Sequence, residues 1–363
     1  MGVERGSLVL ADIGGYTKYL TGVELDHSHD ILADLLSVLV RTLTPALDLA
    51  KLEGDAVFCN LEDGDGGEDA STLVTLVEAC YFAFNARVRD IQFATSCTCR
   101  ACSRIPDLTL KFLVHHGQYV VHDIAGNREL VGPDVILAHR LLKNTVTERT
   151  GIRGYALFTS GCMDRFGIDA ARAGMSNHDE DYDDVGTVHG HVLDLERRWR
   201  EEQDRAAVYL GEDAAGIVVE ADMPGPPPVV WDWLTAPAKR GRWQAGVLRV
   251  DEENPAEVRG VGTVNHCVHG DNAVVEEILD WKPFRYLTAR SMTPAGPALC
   301  TIELTPGADG NATGVAYRAV LEDPNLDDEM TARAGEMFRV MLDASFARMA
   351  ELIAEADAEV PAG

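Results

Sequence analysis

Leu8, Val9, Leu10, Ala11, Asp12, Ile13, Gly14, Gly15, Tyr16, Thr17 and, further on, Lys51, Leu52, Glu53, Gly54, Asp55, Ala56, Val57, Phe58 set the architecture expected of the N-terminal half. The first run reads as a buried strand that delivers Asp12 into a turn, where paired glycines let backbone amides face a ligand such as phosphate. The second reads as a hairpin with Gly54 and Asp55 at its tip. If the first strand lies beside that hairpin, both carboxylates bound one metal site. Hard oxygen donors of this kind suit Mg²⁺ or Mn²⁺, which take a few carboxylates plus substrate phosphates. Taken singly, Gly-Asp is ordinary turn chemistry and Asp12 an ordinary helix cap.

Working outward, Ile31, Leu32, Leu35, Leu36, Leu39, Val40 and Leu43 have helical spacing, which predicts a helix from about Asp30 to Pro45. Leu73, Leu76, Val77, Cys80, Tyr81, Phe84 and Val88 predict a second amphipathic helix beyond an acidic, glycine-rich loop over residues 62–69. The segments 108–115 and 118–124 read as a second hairpin around Gly117. Gly132, Pro133 and Asp134 open a helix that carries Ile136 and Arg140. Ala156 to Thr159 reads as a strand, the polar stretch 170–184 as a solvated loop, and Tyr182 to Leu195 as the close of the domain.

This combination resembles the catalytic domain of class III nucleotidyl (adenylate and guanylate) cyclases, and a bacterial cyclase-like subgroup of unknown function with a Cys-x-Cys-x-x-Cys segment. The resemblance implies a ferredoxin-like βαββαβ domain over residues 1–200. It implies that Asp12 and Asp55, with the Ile13 backbone, hold two Mg²⁺ or Mn²⁺ ions, and that Gly14, Gly15, Tyr16 and Thr17 meet the nucleotide. Lys51 and Glu129 fall where the family reads the purine, and Arg140 where it stabilises phosphate charge. The family's asparagine, four residues before that arginine, is replaced by Ile136, and losing such a donor costs on the order of 10²-fold in rate. Active sites in the family form between two such domains, so a single copy per chain implies a homodimer.

Cys97, Cys99 and Cys102 form the densest cysteine cluster, open both to Zn²⁺, with His115 or His116 as a fourth ligand, and to a packed or redox-sensitive insertion. Otherwise the histidines read as structural. The eight cysteines are too few and too spread for a disulfide scaffold, so reduced core thiols are expected.

A connecting helix or linker is expected over 201–212, and a second domain over 213–363. Pro226, Pro227, Pro228, then Val230, Trp231, Leu234, Thr235, Pro237 and Trp243, followed by short strands and a long final helix, resemble the START-like (Bet v 1-like, helix-grip) fold. That helix carries Met337, Phe338, Met341, Leu342 and Phe346 at helical spacing, which suits sheet packing and equally the roof of an adaptable apolar cavity. The overall class expected is therefore α+β.

The 363 residues suffice for two cores. Acidic residues outnumber basic ones 59 to 32, a formal charge of −27, which repels nucleic acid and anionic membranes. No run of about 18 apolar residues or signal-peptide pattern is present, so a cytoplasmic protein without a membrane span is expected. Gly6 stands where myristoylation wants Ser or Thr. Two functions remain open from sequence: a metal-dependent cyclase turning a nucleoside triphosphate into cyclic nucleotide and pyrophosphate, or a non-cyclising nucleotide and metal sensor. Either is fused to a module for a lipid or apolar metabolite, whose filling could gate the first domain.

Overall fold

The computed structural model describes residues 2–20, 25–63, 70–94, 104–124, 127–254, 258–269, 272–293, 296–308, 310–323 and 327–359. The chain divides into two compact units, residues 1–205 and 206–363.

In the first unit the chain runs β1 (Glu4–Gly14), α1 (Tyr16–Leu20), α2 (Leu25–Leu43), β2 (Asp48–Glu53), β3 (Ala56–Glu62), α3 (Ala70–Ala94) and β4 (Thr109–Ile124). It continues through β5 (Asn127–Val131), α4 (Pro133–Leu141), α5 (Val146–Thr150), β6 (Tyr155–Thr159), α6 (Ser160–Phe166), β7 (Ser176–Tyr182), β8 (Gly186–Asp194) and α7 (Leu195–Asp204). The sheet order is β2-β3-β1-β4-β6-β8-β7, with β5 paired to β4 alone. Its first four strands have the expected ferredoxin-like βαββαβ arrangement, β1 lying antiparallel between β3 and β4. β1 is central and covered on both faces, which is why Leu8 to Ala11 form an unbroken apolar run rather than an alternating one. Leu8 and Leu10 pack with Phe58, Leu113, Val135 and Tyr155.

Four local expectations are corrected. The helix expected from about Asp30 is α2 and begins at Leu25, five residues earlier, with the short α1 before it. Gly117 is not a hairpin tip: β4 runs straight through it for 16 residues, and its antiparallel partner β5 starts at Asn127, opposite Ile124. Glycine is needed there because a Cβ would sit 2.5 Å from the Asp134 carboxylate, whose Oδ2 accepts a hydrogen bond from the Gln118 amide at 2.6 Å. The polar stretch 170–184 contains an edge strand, β7, rather than only loop. Its inward residues His178 and Glu180 are buried and bonded to one another at 2.6 Å. Burial pulls the Glu180 carboxyl up, but the Thr145 amide, His178 and the Thr145 hydroxyl outweigh it and leave it below the usual carboxylate range. Lastly, in the connecting helix or linker expected over 201–212, the helix stops at Asp204; the Val208 and Leu210 amides then donate to Asp280 and Thr301.

The second unit runs β9 (Ile217–Pro224), α8 (Pro227–Thr235), α9 (Pro237–Trp243), β10 (Arg249–Glu253), β11 (Val264–His269), β12 (Asn272–Lys282), β13 (Tyr286–Thr293), β14 (Gly296–Pro306), β15 (Ala312–Leu321) and α10 (Asp328–Glu359). Its seven strands are antiparallel throughout, in the order β10-β11-β12-β13-β14-β15-β9. Each of α8 and α9 begins on a proline, where the missing amide costs nothing. The long α10 closes over the sheet, and Leu342, Phe346, Met349 and Ile353 bury its inner stripe. This is the expected helix-grip, START-like architecture, and the whole is α+β.

Candidate functional site

The acidic corner of the first unit forms where β1 leaves the sheet. The Ile13 amide donates to the Asp55 carbonyl at 3.0 Å, which ties the end of β1 to the β2–β3 hairpin tip. Gly15, with φ of +84°, lets the chain turn at once into α1, and a Cβ there would crowd the Asp107 carbonyl at 3.2 Å. Asp12 and Asp55 thus come within electrostatic reach of one another. Burial, and next the charge of Asp12, push the Asp55 carboxyl above the usual carboxylate range.

Sequence reasoning missed a third member of this corner. Lys111 on β4 is the direct cross-strand partner of Asp12, so the two side chains share one face. Its ammonium lies 3.2 Å from Asp12 Oδ2 and donates to the Leu142 carbonyl, just past the end of α4, at 2.7 Å. In sequence Lys111 is an ordinary polar residue within an apolar strand, and only the register reveals its partner.

The residues expected to meet a purine are brought together. Lys51 Nζ on β2 lies 3.1 and 3.2 Å from the two oxygens of Glu129 on β5. The pair is open to solvent, with side chains 44% and 34% exposed. Arg140 instead forms an ion pair with Asp184, which raises the guanidinium's already high pKa. Ile136, in the asparagine position, is 59% exposed and carries no core duty. Gly14 and Tyr16 flank the β1–α1 turn; Thr17 lies in α1, but its side chain is outside the described residues.

Cys97, Cys99 and Cys102 lie outside the described residues. Of the histidines suggested as a fourth zinc ligand, His115 is buried against Thr159 and His116 is bonded to Asp63. Among the described residues no group of three or more His, Cys, Asp or Glu is gathered as for a metal ion. Asp12 and Asp55 are two hard oxygen donors whose mutual repulsion a cation would relieve, so they fit a divalent ion in part, with Lys111 already supplying some positive charge.

The second unit has a cavity of about 640 Å³ beneath α10, lined at its apolar end by Trp243, Trp281, Phe338, Met341 and Phe346. Along β11 and β12 alternate residues turn inward, which places Asn265, Cys267 and Glu276 in the cavity wall. Glu276 accepts from Arg240 at 2.8 Å and from the Asn265 amide at 2.9 Å. Burial alone would push the Glu276 carboxyl up; Arg240 and Asn265 outweigh it and hold it below the usual range. Arg259, also in the wall, is paired with Glu252 at 2.6 Å. The wall is therefore polar yet charge-balanced. Neither ion pair was visible in the sequence, where the four residues are scattered over 240–276.

Residues 214–354 match the family model described as polyketide cyclase / dehydrase and lipid transport. Residues 32–150 match a model for proteins of unknown function (DUF2652). An uncharacterized protein of Mycobacterium tuberculosis is 29% identical over 167 residues, 45% of this chain and 73% of that protein. Among solved structures, the guanylyl cyclase Cya2 is 14% identical, covering 53% of this chain and 92% of its own, with a TM-score of 0.40. The adenylyl cyclase CyaB from P. aeruginosa is 17% identical, covering 53% and 97%, with a TM-score of 0.39.

Proposed function

We propose that this protein is a two-module sensor in which the second unit binds an apolar small molecule or lipid and the first binds a nucleoside triphosphate with a divalent ion, without efficient cyclisation. The cavity of about 640 Å³ carries the reading of the second unit, for it has the volume of a small-molecule site and a wall of aromatic and methionine side chains with a few polar groups. The match of residues 214–354 to a family that includes lipid transport supports it.

For the first unit, Lys51 and Glu129 already stand together to address a base, and Asp12 with Asp55 would hold Mg²⁺ or Mn²⁺. Such an ion, when bound, neutralises phosphate charge and polarises the reacting oxygens. The groups for which cyclisation has most need are committed elsewhere or missing: Arg140 is paired with Asp184, the Ile136 side chain offers no hydrogen bond, and Asp12 is engaged by Lys111. A homodimer would bring a second copy of these residues across a two-fold axis. The five described cysteines are buried unpaired thiols, in keeping with a reducing, cytoplasmic setting, and among the described residues no helix is long and apolar enough to cross a membrane.

The test is incubation of the full chain with ATP, GTP, CTP and UTP in Mn²⁺ and then Mg²⁺. Products are resolved by mass spectrometry and nucleotide binding is followed by calorimetry. Metal-dependent binding without cyclic product, lost in Asp12→Ala and Asp55→Ala, is the expected result. The intact Lys51–Glu129 pair favours one second reading, a slow cyclase. A cyclic nucleotide formed by the native chain and lost in both variants would establish that instead. The uncharged fluorophore N-phenyl-1-naphthylamine tests the cavity: it should brighten on binding and be excluded by Met341→Glu.

A further inference from the structure

Among the described residues, Lys111 is the cation that stands beside Asp12 in the acidic corner, and its placement constrains what else can enter. Lys111 is held from two sides. The β1–β4 register sets it opposite Asp12, and the Leu142 carbonyl at the C-terminal end of α4 accepts from it at 2.7 Å. A helix C-terminus is the favoured end for a positive charge. Its side chain and that of Asp12 are 23% and 18% exposed, so the pair is screened less than a surface pair. It is thus anchored rather than draped over the surface.

We propose that the Lys111 ammonium takes the place of one of the two ions, so that the corner accepts a single divalent cation, held by Asp12 and Asp55, and Lys111 sets that stoichiometry. This rests on the reading of the first unit as a metal and nucleotide site. Charge counting over the described residues supports it: Asp12, Asp55 and the Lys111 ammonium leave a single negative charge, which one divalent ion already overcompensates. A second ion held by the same two carboxylates would meet the repulsion of both the first ion and the ammonium. Lys111 is accordingly a specificity residue, one that touches a metal ligand rather than the reacting atoms.

The experiment counts Mn²⁺ bound by the full chain at neutral pH, using electron paramagnetic resonance for free ion and calorimetry for affinity. Ions lost in Asp12→Ala are scored as belonging to this corner. The native chain should hold one. Lys111→Met, which keeps most of the side chain's bulk and removes the charge, should gain a second ion or bind the first at least about tenfold more tightly. Lys111→Arg, which keeps the charge, should still hold one. Two ions on the native chain would overturn the inference and leave the metal reading intact, as would a Lys111→Met protein indistinguishable from native, or Lys111→Arg behaving like Lys111→Met. Absence of Mn²⁺ from both native and Lys111→Met proteins would overturn the metal reading and this inference together.

Discussion

The acidic corner of the first unit and the polar wall of the second unit's cavity are built from the same ingredients, carboxylates and a basic side chain, and they differ in whether the charges cancel. At the corner Asp12 and Asp55 share one ammonium, and Asp55 is pushed up in pKa. In the wall Arg240 meets Glu276 and Arg259 meets Glu252, so every guanidinium has its own carboxylate and Glu276 is held below its usual range. A net negative charge at a strand end is an invitation to a cation. A cancelled charge in a buried wall offers a dipole and shape, which suits an apolar molecule with a modest polar end. The two carboxyls are both pushed up by burial; at Asp55 the charge of Asp12 adds to that, whereas at Glu276 the Arg240 guanidinium outweighs it.

The largest effect should come from uncancelling the wall. Glu276→Ala or Arg240→Ala leaves a lone buried charge and should cost about 3–5 kcal/mol. Guanidinium unfolding followed by tryptophan fluorescence would report it, since Trp231, Trp233, Trp243 and Trp281 lie in the second unit and only Trp199 in the first. The double change Arg240→Met with Glu276→Leu should cost far less. If single and double variants lose the same stability, the wall is held by packing and the comparison breaks.

Gly117→Ala comes next. The new methyl meets the Asp134 carboxylate, and relieving that overlap should cost about 1–3 kcal/mol. Because α4 would be displaced, the Leu142 carbonyl that holds Lys111 moves too, and Mn²⁺ affinity at the corner should rise as the ammonium loosens while stability falls. Unchanged unfolding would show that α4 yields freely.

The third effect is one of pH. Glu276 has a folded pKa below its unfolded one, so its pairing stabilises the second unit above the ordinary carboxylate range and is lost as pH falls through the depressed value. Acid titration of the tryptophan signal should show this loss, and Glu276→Gln should flatten the slope. An unaltered slope in the variant would assign acid sensitivity to other carboxylates.

The smallest effect is at Lys51. Its pair with Glu129 is exposed on both sides and should contribute under about 1 kcal/mol to stability. Lys51→Ala should leave the unfolding midpoint nearly unchanged while weakening purine over pyrimidine nucleotide binding in calorimetry. Equal loss for all nucleotides would make Lys51 a phosphate contact.

Much of this was legible before any coordinates. The unbroken apolar run at Leu8, the glycines after Asp12, and Gly54 with Asp55 at a hairpin tip are local signals. Each reports a burial pattern or a backbone conformation that the residue types themselves impose. The prolines that open α8 and α9 and the stripe on α10 are of the same kind. Lys51 and Glu129 were matched only through the family resemblance, 78 residues apart. Gly117 misled because glycine punctuates turns, whereas here its missing Cβ makes room for a carboxylate from another element. β7 misled because its inward residues are His178 and Glu180, whose polarity is satisfied by each other and by Thr145, so a buried face carries no apolar signature.

What the sequence alone determined is therefore most of the elements of the α+β class and the places of Asp12 near the end of β1 and Asp55 at a hairpin tip, because these depend on periodicity and local backbone preference. What only tertiary structure decided is pairing: Lys111 against Asp12, Arg140 against Asp184, Arg240 against Glu276. A charge acquires its meaning from what lies a few ångströms away, and strand register and helix docking, not proximity in the chain, set that distance.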